Sequence, residues 1–138
     1  ASGNMDQIMS IKEACPNLLI WSGDDNLILP VLSVGGYGVI SVVSNVAPKV
    51  VSWIVLQFES GNHKSATKAF YTIKKLIKLC FVETNPVPVK YMLSLMYNQD
   101  SMQNVRLPLV TLSETSKQSV KKYFQDMMKF VMSDENIH

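Results

Sequence analysis

The sequence is short of charge. Only 17% of its 138 residues are Asp, Glu, Lys or Arg, whereas average soluble proteins carry about 25%. The net charge of +2 gives no electrostatic reason to expect nucleic acid or an anionic membrane as a partner. Because 47% of the residues are hydrophobic, the chain is too apolar for a disordered tail and long enough for a globular core. The low charge predicts that other protein covers part of its surface.

Clustered cysteine and histidine are also lacking. Cys15 and Cys80 lie in predicted helices without a CxxC or Cys/His spacing, which favours free buried thiols in a reducing compartment, hence the cytoplasm. His63 and His138 have no partner at a spacing typical of zinc sites or nucleophilic relays. We therefore expect no metal, and these residues give no reason to expect a cofactor.

A continuous membrane span is absent as well. Residues 26–48 form a run of 23 without a formal charge, nominally long enough to cross a bilayer. Pro30 and the cluster Gly35-Gly36-Tyr37-Gly38 interrupt this run, and a broken helix would leave backbone groups unsatisfied in lipid. We interpret the run as core and expect no membrane as partner.

The first part of the chain predicts alternating helices and strands. Asn4 caps a helix over residues 5–15, and the apolar runs Leu18–Trp21 and Gly38–Val43 have the composition of strands buried on both faces. A short helix, capped by Asp24 or Asp25, fills the space between them. This order is typical of an α/β fold with a parallel sheet.

From Pro48 onward the pattern is helical. Helices are predicted from Pro48 to Ser60, from Asn62 to Phe81, from Val89 to Tyr97 and from Ser113, with Leu107-Pro108-Leu109 extended between the last two. The long helix has an inner stripe that includes Phe81, and its lysines form a solvated face. Two strands buried on both faces need sheet neighbours and cover that this chain does not supply. As an isolated domain the chain is predicted to be incomplete.

Several motifs have both a chemical and a structural interpretation. Ser22-Gly23-Asp24-Asp25 follows a buried strand, where binding loops of α/β barrels lie. Its adjacent carboxylates suggest acid/base work, but neighbouring residues at a strand end point in divergent directions, so helix capping by one Asp is the favoured interpretation. The glycine cluster precedes its strand, which favours a tight turn over a phosphate loop. Lys90 could form a Schiff base if it were buried, but an ordinary ion pair or a snorkelling lysine is the more common case. Ser113-Glu114 is most simply a helix cap.

A set of motifs along the chain resembles the dihydrodipicolinate synthase family. They occur in the family's order and cover nearly the whole chain: Ser22-Gly23-Asp24-Asp25-Asn26, Gly35-Gly36-Tyr37-Gly38-Val39-Ile40-Ser41-Val42, Asn45-Val46-Ala47-Pro48, Phe81-Val82-Glu83-Thr84-Asn85-Pro86-Val87-Pro88-Val89-Lys90, Arg106-Leu107-Pro108-Leu109 and Leu112-Ser113-Glu114. The segment from Asn85 to Lys90 is similar to the synthases and not to their sister family, the N-acetylneuraminate lyases.

The resemblance implies a fold of class α/β, the C-terminal part of a (β/α)8 TIM barrel followed by a helical C-terminal domain. Residues 1–60 would supply the last βα units, with Leu18–Trp21 and Gly38–Val43 as the last two strands. Residues 61–138 would form the helical domain. The partners implied are the missing N-terminal barrel strands and further copies of the protein in a homotetramer or dimer.

The resemblance also implies a lyase reaction. Family members condense pyruvate with aspartate semialdehyde, on the route to lysine and diaminopimelate, through a Schiff base on a lysine. That lysine would lie two positions before Ala1, so no catalytic side chain is expected in this chain, which we expect to be inactive alone. The substrate-binding residues that carry over are Ile40, beside pyruvate, Gly23 and Asp24, at the rim, and Asn85, supporting the rim. Another pyruvate-dependent aldolase of the superfamily, or a non-catalytic assembly module, remains an alternative.

Overall fold

A computed structural model of the chain describes residues 2–133, except the side chains of residues 125 and 128–133. In this part of the chain helices dominate, and the sheet is small. The elements are α1 (Met5–Ala14), β1 (Trp21–Ser22), α2 (Ile28–Ser33), β2 (Gly38–Val39), α3 (Pro48–Glu59), α4 (His63–Cys80), α5 (Val87–Tyr97) and α6 (Glu114–Ser133). Short 3-10 turns cover Asp25–Leu27, Val43–Asn45 and Asp100–Gln103.

The two strands are parallel neighbours, as predicted. Trp21 lies opposite Gly38 and Ser22 opposite Val39. The Tyr37 amide donates to the Ile20 carbonyl over 2.7 Å, and the Ile40 amide donates to the Ser22 carbonyl over 2.7 Å. The paired ladder is shorter than the predicted runs 18–21 and 38–43, because each strand has one neighbour within the described residues. Helix, strand, helix and strand follow each other in the predicted order.

Burial differs from the sequence prediction in both strand runs and at the first cysteine. Leu18, Leu19 and Trp21 are 49%, 53% and 44% exposed, so the prediction that this run is buried on both faces is wrong for the chain as it stands. In the second run, Ile40 is 71% exposed. The reason is that the sheet of the described residues has two strands, which leaves edges and faces open. Cys15 follows α1 and is exposed, which corrects its assignment as a buried thiol, whereas Cys80 is buried as expected.

Local signals at helix ends act largely as predicted. The Asn4 side chain accepts a hydrogen bond from the Gln7 amide at the start of α1, and Pro48 is the first residue of α3. Asn62 occupies the capping position of α4 without a capping side-chain bond. Two details differ: α5 begins at Val87 rather than Val89, and Leu107-Pro108 lies in a turn rather than in an extended segment.

The core lies where α2, α3, α4 and α5 meet, and α6 adds to it. Its fully enclosed side chains come from all of these helices and include Ile28, Ile54, Ile73, Leu76, Ile77, Met92 and Val120. The lysines of α4 predicted to face solvent are exposed: Lys64, Lys68, Lys75 and Lys78. Phe81 was predicted on the inner stripe but is 45% exposed, because α4 ends at Cys80 and the chain turns away there.

Glu83 joins the connection after α4 to the start of α6. Its carboxylate accepts a 2.5 Å hydrogen bond from the Ser113 hydroxyl and a second from the Ser113 amide. The Ser113 hydroxyl in turn accepts from the Ser116 amide, so Ser113 caps α6 as predicted. Hydrogen bonds from Ser113 and Ser116 lower the pKa of Glu83. The capping of α6 therefore depends on a charged group outside that helix.

We predict that Gly36→Ala lowers the free energy of unfolding by about 1–3 kcal/mol. An added Cβ would meet the Val31 side chain and lie 2.6 Å from the Val31 carbonyl oxygen, a backbone atom within α2. Urea unfolding of the variant beside the parent protein measures the loss. Gly61→Asn is the control, because Gly61 has φ +79° and open space around it, and Asn tolerates that conformation, so its change should stay within about 0.5 kcal/mol. Equal stability of Gly36→Ala and the parent would contradict the packing at this turn.

Candidate functional site

The turn after β1 is built by its own polar side chains. The Ser22 hydroxyl, 3% exposed, accepts from the Asp24 amide over 3.1 Å and donates to the Asp24 carbonyl over 2.7 Å. The Asp24 carboxylate accepts from the Asn26 amide over 2.8 Å and so caps the 3-10 turn Asp25–Leu27. Of the two predicted capping residues, Asp24 is therefore the one that caps. Gly23 lies exposed between these anchors.

Asp25 has a different environment from its neighbour. Its side chain is 1% exposed, and Oδ2 accepts hydrogen bonds from the Val42 amide at 3.0 Å and the Val43 amide at 3.3 Å. Its other oxygen, Oδ1, is buried without a hydrogen-bond partner among the described residues. We call the bonds from Asp25 Oδ2 to these two amides the Asp25 clamp. The clamp joins the turn after β1 to the segment after β2.

Cys80, the last residue of α4, lies in the field of this carboxylate. The side chain is fully buried, and burial, with a further contribution from the negative charge of Asp25, raises the pKa of the Cys80 thiol to about 12. A thiolate is the form that reacts with electrophiles, so Cys80 is protonated and inert near neutral pH. These contacts give Cys80 a structural role and provide no nucleophile.

An open groove of about 400 Å³ lies between the turn after β1 and the end of α4. It is lined by Gly23, Asp24, Asn26, Lys78 and Phe81. The groove combines a carboxylate, an amide and an ammonium group with one aromatic ring. Such a mixture can hold a small polar ligand that carries its own charge.

The structure brings three of the four sequence-predicted residues to one region. Gly23 and Asp24 line the groove, and Ile40 is joined to the same turn because its amide donates to the Ser22 carbonyl. The Ile40 side chain is 71% exposed. Asn85 is exposed in the connection before α5 and is not among the groove-lining residues. Lys90 lies in α5 and is likewise not part of the groove.

Sequence reasoning missed four residues of this region. Asn26 belonged to a recognised motif but received no role, and Lys78 was assigned to the solvated face of α4 although it also lines the groove. Phe81 was assigned to the core, and its exposed ring lines the groove instead. Asp25 was considered as a cap and as half of a carboxylate pair, but not as an acceptor for distant amides. The position of Lys78 in the last turn of an amphipathic helix could have indicated a role for it. The partners of Asp25, in contrast, lie 17 and 18 residues away in sequence and leave no local signal.

Two further expectations concern metal ligands and membrane spans. Among residues 2–133, no three His, Cys, Asp or Glu side chains come together as metal ligands. His138, considered above, lies outside the described residues. None of the helices within the same range combines the length and apolar character that a membrane span requires.

Comparisons with known proteins agree with each other. Residues 1–127 match the model of the dihydrodipicolinate synthetase family. The chain is 43% identical over 126 residues to a 4-hydroxy-tetrahydrodipicolinate synthase of Endomicrobium trichonymphae, an alignment that covers 91% of this chain and 43% of the relative. The chain thus spans less than half the length of the curated relatives that it matches.

Solved structures give the same result. The chain superposes on the dihydrodipicolinate synthase of Thermotoga maritima with a TM-score of 0.85 and 37% identity, covering 93% of this chain and 44% of that one. It also superposes, with a TM-score of 0.84 and 29% identity, on a chloride-inhibited dihydrodipicolinate synthase from Acinetobacter baumannii complexed with pyruvate, covering 93% of this chain and 44% of that one. The fold of these neighbours is shared over nearly all of this chain.

We predict that one of the two thiols reacts under native conditions. Cys15 is exposed, whereas Cys80 is buried and protonated. Titration with an aromatic disulfide at pH 8 should therefore modify Cys15 rapidly and leave Cys80 unmodified until denaturant is added. Cys15→Ser should abolish the native reaction, and Cys80→Ser should leave it unchanged. Rapid native modification of Cys80 would contradict its placement beside Asp25.

Proposed function

This chain belongs to the dihydrodipicolinate synthetase family, and we propose that it forms the closing part of that enzyme's barrel together with the helical domain that follows. A complete (β/α)8 barrel needs about 250 residues, or roughly 30 for each βα unit. Here both strands lie within the first 39 residues, and the described residues after them hold α3, α4, α5 and α6 without a strand. That order supports the end of a barrel, since an opening part of equal length would carry about four strands.

The exposed apolar surface supports the same placement. Leu18, Leu19 and Trp21 are exposed along the first strand, and Tyr37 precedes the second. An open groove of about 470 Å³ runs past Trp21 and Tyr37 to Val55 and Leu56 of α3. In a closed barrel these edges and faces would meet neighbouring strands and their helices. We place the boundary between the barrel part, residues 1–60, and the helical domain, residues 61–138, at the turn between α3 and α4.

The activity we propose for the whole protein is that of a 4-hydroxy-tetrahydrodipicolinate synthase in the cytoplasm. Pyruvate forms a Schiff base with a lysine, which turns its methyl group into a nucleophile that attacks the aldehyde of aspartate semialdehyde. The lysine belongs to the barrel strand that precedes this chain. The chain contributes a wall of the pocket, and it is inactive without the remaining strands and its neighbours in a homodimer or homotetramer.

Each predicted binding residue would have its own role in this pocket wall. Ile40 follows β2, and its exposed side chain would contact bound pyruvate. Gly23 and Asp24 would form the rim beside the semialdehyde, where the groove also presents Asn26 and Lys78. Asn85 would support the rim from the connection before α5. These positions are consistent with a (β/α)8 barrel, whose binding loops follow the carboxyl ends of the strands.

Borohydride trapping tests the proposal. The full-length protein, treated with pyruvate and borohydride, should gain one covalent adduct on a lysine that precedes Ala1, and the chain of 138 residues alone should gain none. Lys90→Arg is the matched control and should leave the adduct of the full-length protein unchanged, because Lys90 lies in α5 outside the groove. Condensation rates with aspartate semialdehyde and with other aldehydes then identify the second substrate.

Three results would contradict the proposal. An adduct on a lysine of this chain would move the Schiff base into it. A faster reaction with a different aldehyde would indicate another pyruvate-dependent aldolase of the superfamily. A monomeric chain that melts cooperatively by itself, in a protein that traps no pyruvate, would favour a non-catalytic assembly module.

A further inference from the structure

We propose that Asp25 is a positioning residue for pyruvate: through the Asp25 clamp it fixes the segment after β2 and thereby places Ile40. The proposal rests on the function proposed above and extends it to a residue that touches no substrate. It draws on three observations: the clamp itself, a second anchor at Ile40, and the exposure of the Ile40 side chain.

The first observation is that the clamp completes the backbone bonding of a turn. Val42 and Val43 begin the 3-10 turn Val43–Asn45, and the first amides of such a turn have no partner within it. Asp25 Oδ2 accepts from both. One oxygen atom thus holds two successive backbone amides, which fixes the start of this segment relative to the turn after β1. Asp25 thus determines where the turn after β2 begins.

The second observation is that the same segment has another anchor on the turn after β1. The Ile40 amide donates to the Ser22 carbonyl, and Ser22 is itself fixed by its two bonds to Asp24. Residues 40–43 are therefore tied to residues 22–25 at both ends. Without the clamp, the bond from the Ile40 amide to the Ser22 carbonyl would be the remaining one of these two anchors, and residues 41–43 would be free to move.

The third observation concerns Ile40 itself. Its side chain is 71% exposed, so packing within this chain does little to hold it. Its position is set by the backbone on either side. A contact residue that depends on its backbone anchors is sensitive to small displacements, and a displacement near 1 Å can lower a reaction rate by as much as about a hundredfold.

The burial of Asp25 fits such a role better than one in stability alone. Its Oδ1 is buried without a partner among the described residues, an arrangement that costs folding free energy. A buried polar group that is only half satisfied is a feature of functional sites as well as of poorly packed ones. Here the satisfied oxygen is the one that bonds the segment carrying Ile40.

Steady-state kinetics of the full-length protein test the proposal with three variants of Asp25. Asp25→Ala removes the acceptor and should raise the KM for pyruvate at least about tenfold, with a smaller change in the KM for the semialdehyde. Asp25→Asn retains a carbonyl oxygen for the two amides and should restore the KM for pyruvate to within about twofold. Asp25→Glu keeps the charge but lengthens the side chain, and it should behave like Asp25→Ala. If Asp25→Ala fails to fold, Asp25→Glu carries the test.

A buried polar group elsewhere supplies the structural control. Ser94 is 5% exposed in α5, and its hydroxyl donates to the Tyr91 carbonyl. Ser94→Ala should lower the melting temperature and leave the KM for pyruvate unchanged. Hydrogen exchange gives a second readout: the Val42 and Val43 amides should lose protection in Asp25→Ala and keep it in Ser94→Ala.

The outcomes separate this proposal from the one on which it rests. A full-length protein that neither traps pyruvate nor condenses it would overturn the proposed function and the positioning role with it. An active protein in which Asp25→Ala folds and keeps the parent KM for pyruvate would overturn the positioning role alone. Equal rises in the KM for pyruvate in Asp25→Ala and Ser94→Ala would also overturn it, since general destabilisation would then explain both.

Discussion

A buried carboxylate needs donors, and the way in which this chain supplies them organises the region around its two strands. Asp25 lies inside the protein and takes two backbone amides from a segment 17 and 18 residues further on. The turn after β1 and the turn after β2 therefore keep one relative position, and α2, which connects the two strands along the chain, packs against both of them. Cys80 at the end of α4 lies in the same field, so the helical part also meets this region.

The low charge of the sequence has a structural counterpart. The exposed apolar side chains at the strands include Leu18, Leu19, Trp21 and Tyr37, and the ring of Trp21 meets that of Tyr37 edge on at 5.3 Å. A small domain with such a surface is poorly suited to exist alone in water. The relatives are more than twice as long as this chain. On the function proposed above, further strands of the barrel would cover these residues.

What could be predicted from the sequence depended on the range of the interaction. Caps and helix starts at Asn4, Pro48 and Ser113 are set within a few residues, and the structure has them where they were expected. The prediction that Leu18 is buried was wrong, because burial depends on sheet neighbours, and the described residues form a sheet of two strands. The clamp was missed because the donors of Asp25 are distant in sequence. Gly23 and Asp24 were predicted as rim residues from the family resemblance, and both line the groove, whereas the place of Lys78 there required the packing of α4.

The central claim is that the exposed face at the first strand is the surface that contacts the rest of the barrel. Fluorescence quenching of Trp21 by acrylamide tests it directly in a Trp53→Phe background, where Trp21 is the sole remaining tryptophan of this chain. Trp21 is 44% exposed here and should be quenched readily in the chain alone. Addition of a tryptophan-free polypeptide that holds the preceding strands should reduce the quenching to that of a buried indole, whereas unchanged quenching would contradict the account.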